Sequence, residues 1–173
     1  MRYVGIDPSS TTGFVALDEQ GEVIRKKELT GIGKVDPKRI GTLVDEIIAH
    51  VQPGDMVCVE GYSYSSKGKG ISFQFGLGAM IRDRLWRKGI EFIDVPPAAL
   101  KKFATGKGNT KKEDMVNPIF ERWGFSNPSD NVTDAFVLAQ IAKELHEAQQ
   151  SGYIKKVPIH QGQVIGGILG IAL

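Results

Sequence analysis

The chain has 173 residues with 41% hydrophobic content, enough for one ordinary core, and this length favours a single domain. Its net charge of +2 says little about partners, but its single cysteine, Cys58, excludes a disulfide framework and a cysteine-rich zinc site. No charged and then apolar leader opens the chain, and its longest apolar run, VIGGILGIAL, is too short to span a bilayer. We therefore expect a soluble protein of a reducing, intracellular compartment, with no membrane partner.

The first half of the chain predicts three strands, a helix and a fourth strand. Residues 3–7 have the pattern of a strand, and residues 11–29 that of a hairpin that turns at residues 18–21. Residues 37–51 predict a helix, because their apolar residues share one side. The continuous apolar run MVCVEGY is typical of a strand buried on both faces of a sheet, and it ends in Glu60.

The second half of the chain predicts mostly helix. A helix over about residues 71–88 is followed by the short strand IEFIDV and a Pro-Pro break. Thr110 has the pattern of a capping box for a helix ending near Trp123, which Pro118 must bend or shorten. The segment NPSDNVTDAFVLAQIAKELHEAQQ begins the final predicted helix.

The pattern predicts one domain over residues 1–150. Residues 151–173 form a tail of uncertain structure, which either docks on the body, binds a partner, is disordered or is foreign to the domain.

Three acids occupy corresponding places at the edge of the predicted core. Asp7 and Glu60 each end a strand, and Asp134 begins the buried stripe of the final helix, so that it points at the sheet. Convergent carboxylates raise one another's pKa and cannot all stay ionised without a cation. Mg²⁺, or Mn²⁺ as a substitute, prefers such oxygen ligands, and two ions roughly 4 Å apart suit the attack of water on a phosphodiester.

A second interpretation of the same acids needs no metal. Asp7 then begins an Asx-turn with the serines that follow it, Glu60 pairs with a lysine, and Asp134 caps a helix. Asp130 lies four residues before Asp134 on the same helix face, as either a further ligand or an N-cap. The order of the three acids along the predicted elements favours the metal site.

Five segments in order carry a family resemblance: GIDPSSTTG, VEGY at a strand end, the helix SFQFGLGAMIRDRL, the stretch GKGNTKKEDM and the helix NVTDAFVLA. Over about residues 1–148 the chain resembles the RuvC-type Holliday junction resolvases of the RNase H-like superfamily. The resemblance implies an α/β fold of the RNase H-like kind, with a mixed five-stranded sheet flanked by helices. It also implies a homodimer and Mg²⁺-dependent paired nicking of four-way DNA junctions.

Carried over residue by residue, Asp7, Glu60 and Asp134 match three of the family's four catalytic, metal-binding acids. The resemblance also implies two metal ions in each active site. The chain departs from the bacterial pattern at the fourth acid, where it has Asn131. Either Asn131 ligates through its amide oxygen or Asp130 takes the place of the acid, and we favour Asp130. Smaller viral resolvases also vary here, which suits a phage-encoded protein acting in the cytoplasm of a bacterial or infected cell.

Lysines and tyrosines near the predicted site suit branched DNA as the partner, because phosphates supply most of the affinity for a polyanion. The segment KKFATGKGNTKK, which carries no acid, is either a solvated loop or, as the resemblance implies, a DNA-contacting loop and helix start. The tyrosines after Glu60 either stack on unpaired bases or pack against the next helix. The predicted DNA-binding residues are Lys107, Lys111, Lys112, Tyr62, Tyr64, Lys67 and Lys69.

Other functions are open to a chain with these motifs. The segment GIDPSSTTG also resembles the phosphate-holding hairpin of actin-like ATPases, but 173 residues are too few for their second lobe, so we expect no nucleotide cofactor. Two alternatives keep the predicted fold: a nuclease that cuts flaps or RNA–DNA hybrids, and a non-catalytic DNA-binding module with a degraded site. The motifs together favour a junction-resolving endonuclease.

Overall fold

A mixed sheet of five strands forms the centre of the computed structural model, which describes residues 1–62 and 70–171 apart from the side chain of Ile71. The strands are β1 (Tyr3–Asp7), β2 (Thr12–Leu17), β3 (Val23–Leu29), β4 (Met56–Glu60) and β5 (Phe92–Val95). Their order across the sheet is β3-β2-β1-β4-β5. The pairs β1–β2 and β2–β3 are antiparallel, whereas β1–β4 and β4–β5 are parallel. The predicted α/β fold with a mixed five-stranded sheet is confirmed.

Helices cover both faces of this sheet. In the described part of the chain they are α1 (Lys38–His50), α2 (Ile71–Arg87), α3 (Pro97–Thr105), α4 (Val116–Trp123), α5 (Asp130–Ser151) and α6 (Ile159–Leu169). One core lies between the sheet and α1 and α2, and the other lies between the sheet and the remaining helices. Among the helices of residues 1–62 and 70–171, none has both the length and the apolarity needed to cross a membrane.

The alternation of side chains along β1 and β4 decides which core each residue joins. In β1, Ile6 packs under α1 and α2, whereas Tyr3 packs under α5. Because successive side chains point to opposite faces, Asp7 lies on the same face as Tyr3. Cys58 of β4 also packs under α5, so the same alternation places Glu60 on that face.

Helix α5 lies very close to the sheet because two strand positions carry glycine. A Cβ at Gly5 would lie 1.9 Å from the backbone oxygen of Ala135. A Cβ at Gly13 would lie 1.9 Å from the backbone oxygen of Asn131. No side chain fits at these distances, so glycine is required at both positions. Since Gly13 pairs with Asp7 across β2 and β1, the first turn of α5 lies over the end of β1.

Helix α3 was not predicted. The sequence pattern indicates a Pro-Pro break followed by a lysine-rich loop. The structure instead has a helix from Pro97 to Thr105, and this helix is capped by Gly106 with φ 90°. Proline suits the first helical position because it has no N–H that needs a partner there. The double proline therefore starts a helix, and the lysine-rich loop is shorter than predicted.

The capping box predicted at Thr110 is also wrong. The Thr110 hydroxyl donates to the backbone oxygen of Lys107 at 2.8 Å, and a short 3₁₀ helix (Lys112–Met115) precedes α4. Pro118 lies in the first turn of α4, where its missing N–H removes no helical hydrogen bond. The proline is therefore compatible with an unbroken α4.

The C-terminal tail contains helix α6, which packs against α3 and α5. The Gln161 amide donates to the backbone oxygen of Phe103 at 3.1 Å, and Val164 and Ile165 are buried in the core under α5. Of the outcomes open for the tail, docking on the body is the one observed between Ile159 and Leu169. The domain boundary at residue 150 stays a prediction.

Candidate active site

Asp7 and Glu60 lie side by side because they end neighbouring parallel strands. The register of β1 and β4 pairs Ile6 with Val59, and the two acids are the next residue on each strand. Their side chains interact directly, and Asp7 is only 4% exposed. Because like charges at close range oppose each other, ionisation of one acid makes ionisation of the other harder. The pair therefore needs positive charge nearby when both acids are ionised.

Asp134 reaches the same cluster from the first turns of α5. The Ser129 hydroxyl caps this helix by accepting from the backbone N–H of Val132 at 3.3 Å. The Asn131 side-chain amide donates to the backbone oxygen of Thr11 at 2.7 Å, which ties the helix start to the loop after β1. Asp134 is 7% exposed and acts electrostatically on both strand acids. The three predicted acids thus lie at one edge of the sheet, close enough to affect one another's pKa.

Burial raises the pKa of each acid in this cluster. The pKa of Asp7 lies well above its usual value, because burial removes its solvation and the charges of Glu60 and Asp134 oppose ionisation. Burial likewise raises the pKa of Glu60 and that of Asp134. In all three cases the positive charge of Lys112 acts in the opposite direction. The positive charge near the three acids is therefore too small to offset their burial and mutual repulsion.

Lys112 supplies part of that charge from the start of the 3₁₀ helix. Its Nζ lies 3.1 Å from Oδ2 of Asp134, and its side chain is 49% exposed. Burial by itself would lower the pKa of Lys112, but the charge of Asp134 and the hydrogen bond to it raise this pKa above its usual value. A second lysine, Lys101 on α3, is close enough to lower the pKa of Glu60 and Asp134.

The donor atoms of the cluster fit a hard divalent cation, since every acid offers only oxygen. Their placement is not that of a closed metal site, because among residues 1–62 and 70–171 no three His, Cys, Asp or Glu side chains are grouped to hold one ion. Asp134 instead forms an ion pair with Lys112, which places a positive charge beside this acid.

The two candidates for the fourth ligand have different surroundings. Asp130 is exposed at the first position of α5, and its charge acts on both Asp134 and Lys112. The side chain of Asn131 instead anchors the helix start on Thr11. These positions favour Asp130, and its role as a ligand stays a prediction.

The predicted DNA-binding lysines of the α3–α4 connection separate into two groups. Lys107 and Lys111 are exposed on the loop that follows α3, whereas Lys112 reaches the acids. The hydroxyls of Thr105 and Thr110 are 2.7 Å apart and close this loop at its base. The loop therefore presents Lys107 and Lys111 to solvent beside the acid cluster.

Of the predicted residues in the other loop, Tyr64, Lys67 and Lys69 lie outside the described residues. Tyr62 is half-buried, and its ring is stacked on Phe75 with 4.8 Å between ring centroids. This is the packing against the following helix that the sequence left open as an alternative. A role for Tyr62 on DNA stays a prediction.

Two basic residues near the acids were missed by sequence reasoning. Lys101 belongs to the noted lysine-rich run, but it was not separated from the others because α3 was not predicted. Arg82 lies on the predicted helix α2, where its contact with the backbone oxygen of Glu60 leaves no signal in the sequence.

Comparison with known proteins gives consistent results for sequence and fold. No family model matches the chain. The crossover junction endodeoxyribonuclease RuvC of Synechococcus sp. (strain CC9311) is 25% identical over 155 residues, which cover 80% of this chain and 96% of that protein. The structure of Thermus thermophilus RuvC superposes with a TM-score of 0.65 and 18% identity, over 87% of this chain and 97% of that one. The fold is that of RuvC.

A second RuvC structure agrees with the first. Thermus thermophilus RuvC in complex with Holliday junction substrate superposes with a TM-score of 0.63 and 18% identity, over 87% of this chain and 96% of that one. The resemblance to RuvC that the motifs predicted is thus confirmed, and so is the RNase H-like architecture. The RuvC-like fold accounts for the meeting of two strand ends and a helix start at one edge of the sheet.

The raised pKa of Asp7 predicts how stability depends on pH in EDTA. Between the pKa of Asp7 in the unfolded chain, about 4, and its higher value in the folded protein, the folded state binds more protons. The free energy of unfolding should therefore fall as pH rises through this window. Asp7→Asn removes this contribution, so the variant should lose less stability with rising pH. Urea unfolding between pH 5 and 8 tests this, and identical pH dependence in both proteins would contradict it.

Proposed function

We propose that this chain is a structure-selective endonuclease that resolves four-way DNA junctions by metal-dependent hydrolysis of phosphodiesters. The observation that carries the proposal is the cluster of Asp7, Glu60 and Asp134 beside Lys112, in which Asp7 and Asp134 are buried. Support also comes from the relatives, since the Synechococcus protein is named a crossover junction endodeoxyribonuclease and a Thermus RuvC was solved with a Holliday junction substrate.

In this mechanism Asp7, Glu60 and Asp134 would hold divalent ions, with Asp130 as the further ligand. When bound, Mg²⁺ or Mn²⁺ lowers the pKa of attacking water and stabilises the charge that develops on the phosphate. The acids would bind a cation as carboxylates, so Asp134 would give up its ion pair with Lys112. Lys112 would then be free to donate to a phosphate oxygen of the strand being cut.

The exposed lysines of the α3–α4 connection are the proposed contacts for the DNA phosphates. Lys107 and Lys111 lie on the loop that leads directly to Lys112, so phosphates bound there would lie next to the acids. Paired cutting also needs a second active site facing the opposed strand, which a twofold homodimer would supply. A junction-cutting enzyme would act where replicating or recombining DNA is found, in the cytoplasm of a bacterial or infected cell.

One cleavage experiment ranks the proposed function against its alternatives. The purified chain is incubated with a four-way junction, a flap and an RNA–DNA hybrid, each with Mg²⁺ and with EDTA. We expect paired nicks in the four-way junction that need Mg²⁺ and can be resealed by ligase. Preferential cutting of the flap or the hybrid would support the alternative nuclease, and tight junction binding without any cutting would support the non-catalytic DNA-binding module.

Lys112→Ala should slow cleavage of saturated junction by about 10²–10³-fold, the usual loss when one donor to a transition-state oxygen is removed. It should also reduce the salt dependence of junction binding by about one phosphate contact. The matched control is Lys111→Ala, which removes the exposed neighbour and should reduce the salt dependence while leaving cleavage at saturation intact. Equal cleavage rates in the two variants would place Lys112 outside the reaction.

A further inference from the structure

Arg82 on α2 joins three elements through one side chain that is 13% exposed. Its Nη1 donates to the backbone oxygen of Gly78 at 2.9 Å, and its Nη2 donates to the backbone oxygen of Glu60 at 3.0 Å. Its Nε and Nη2 donate to Oδ1 of Asp94 on β5 at 2.9 and 2.6 Å. The guanidinium carbon also lies 4.5 Å from the ring centroid of Tyr62.

These contacts hold the peptide group that follows the side chain of Glu60. Its carbonyl accepts from Arg82, and its N–H, which belongs to Gly61, donates to the backbone oxygen of Val95 at 2.8 Å. Both polar ends of this peptide group are therefore fixed, one from α2 and the other from β5. Because the peptide plane sets the backbone angle ψ of Glu60, it also sets where the Glu60 side chain points.

The chain after Gly61 is held by the same arginine. The Tyr62 ring packs on α2, stacked on Phe75 and beside the Arg82 guanidinium, and a Cβ at Gly78 would lie only 2.8 Å from Cε1 of this ring. Glycine at position 78 thus makes room for the ring to pack directly on the helix backbone. The end of β4 therefore leaves the sheet in a direction that Arg82 and Gly78 determine together.

Arg82 acts on Glu60 through geometry rather than charge. Its guanidinium is neutralised by Asp94, and the cations with the largest effect on the pKa of Glu60 are Lys112 and Lys101. A lysine at position 82 would keep the charge but lose the planar fork that reaches the three acceptors at once. Charge and geometry can therefore be separated by experiment.

We propose that Arg82 is a positioning residue that orients Glu60 toward Asp7 for binding a divalent ion. The proposal rests on the proposed function, in which Glu60 is a metal ligand. Hydrogen-bond partners that orient metal ligands typically change metal affinity or activity by about 10–100-fold when they are replaced. Arg82 holds the backbone of its ligand rather than the carboxylate, so the lower part of this range is expected.

The test compares Arg82→Lys with Arg84→Lys, which changes an arginine on the same helix. Arg84 forms an exposed ion pair with Asp45 at 2.7 Å. Mn²⁺ binding to the DNA-free protein is measured by calorimetry, and the Mg²⁺ concentration for half-maximal junction cleavage is measured in parallel. Arg82→Lys should weaken both by about tenfold and leave junction affinity in EDTA unchanged. Arg84→Lys should change none of the three.

Several outcomes would overturn the positioning role. Unchanged Mn²⁺ affinity in Arg82→Lys is one, and a loss of thermal stability and junction affinity with no loss of Mn²⁺ affinity is another. If Arg82→Lys does not fold, Asp94→Ala removes the anchor of the guanidinium and should weaken Mn²⁺ binding in the same direction. Wild-type protein that binds no Mn²⁺ would also refute it. If wild-type protein binds Mn²⁺ but cuts no junction, and Arg82→Lys weakens that binding, the positioning role stands and the proposed function is wrong.

Discussion

Asp7→Asn should abolish junction cleavage while leaving junction binding largely intact. The pKa of Asp7 is raised by both other acids of the cluster, Glu60 and Asp134. An amide has one oxygen and no negative charge, so the variant loses a charged ligand and should bind a divalent cation more weakly. Because such groups act as a unit, the rate should fall by at least about 10³-fold. Junction binding depends mainly on lysines and phosphates, so it should persist in EDTA.

The control for this variant is Asp83→Asn, which removes an exposed carboxylate that pairs with Arg87 on α2. It makes the same chemical change away from the cluster, so cleavage and binding should both stay at wild-type levels. Both variants are assayed on a labelled four-way junction over a range of Mg²⁺ concentrations. Cleavage by Asp7→Asn that still requires Mg²⁺ would remove Asp7 from the proposed metal ligands.

Gly13→Ala should be the most damaging single-methyl change near the site. The added Cβ would lie 1.9 Å from the backbone oxygen of Asn131, and backbone cannot rotate away as a side chain can. The first turn of α5 must therefore move away from β1 and β2, carrying Asp134 away from Asp7. Overpacking of this kind costs about 3 kcal/mol or more. Urea unfolding should show this loss, and cleavage should fall in the protein that remains folded.

Gly41→Ala is the matched control for the added methyl group. Gly41 lies within α1, and within the described part of the chain a Cβ there would meet no atom within 4 Å apart from its own helix backbone and adjacent residues. Alanine favours helix over glycine by roughly 0.5–1 kcal/mol, so this variant should be slightly more stable than wild type. Equal stability of Gly13→Ala and wild-type protein would mean that α5 does not pack on the sheet as described.

The acids proposed for activity should lower the stability of the protein when no cation is bound. Burial and mutual repulsion raise the pKa of Asp7, so the folded protein is less stable at neutral pH than it would be with an uncharged side chain. A bound cation would relieve that cost, since it favours the ionised acids. Mg²⁺ should therefore raise the thermal unfolding temperature of wild-type protein more than that of Asp7→Asn.

The positions of Asp7, Glu60 and Asp134 were predictable from the sequence because each depends on a local rule. An acid that directly follows an apolar strand lies at the sheet edge, and the two-residue period of a strand decides its face. The 3.6-residue period of α5 similarly placed Asp134 on the buried side. These rules operate within one element, so they needed no knowledge of the neighbours.

Helices α3 and α6 show where local rules were insufficient. The two prolines before α3 have the same pattern whether they break a chain or start a helix. The apolar tail has no strong polar face, and α6 is defined instead by its packing on α3 and by the bond from Gln161 to Phe103. Tertiary contacts decided both elements.

The sequence by itself determined the order of the five strands and of α1, α2, α4 and α5, the faces of the acids and the abundance of lysine near them, since these follow from periodicity and composition. Only the tertiary structure decided that Asp7 and Glu60 raise the cost of ionising each other, that Lys112 rather than Lys111 enters the cluster, and that Arg82 holds the backbone of Glu60. These contacts join residues from separate elements, and their distances depend on how closely α5 and α2 pack on the sheet. That packing is set by glycines whose neighbours become visible only in the folded chain.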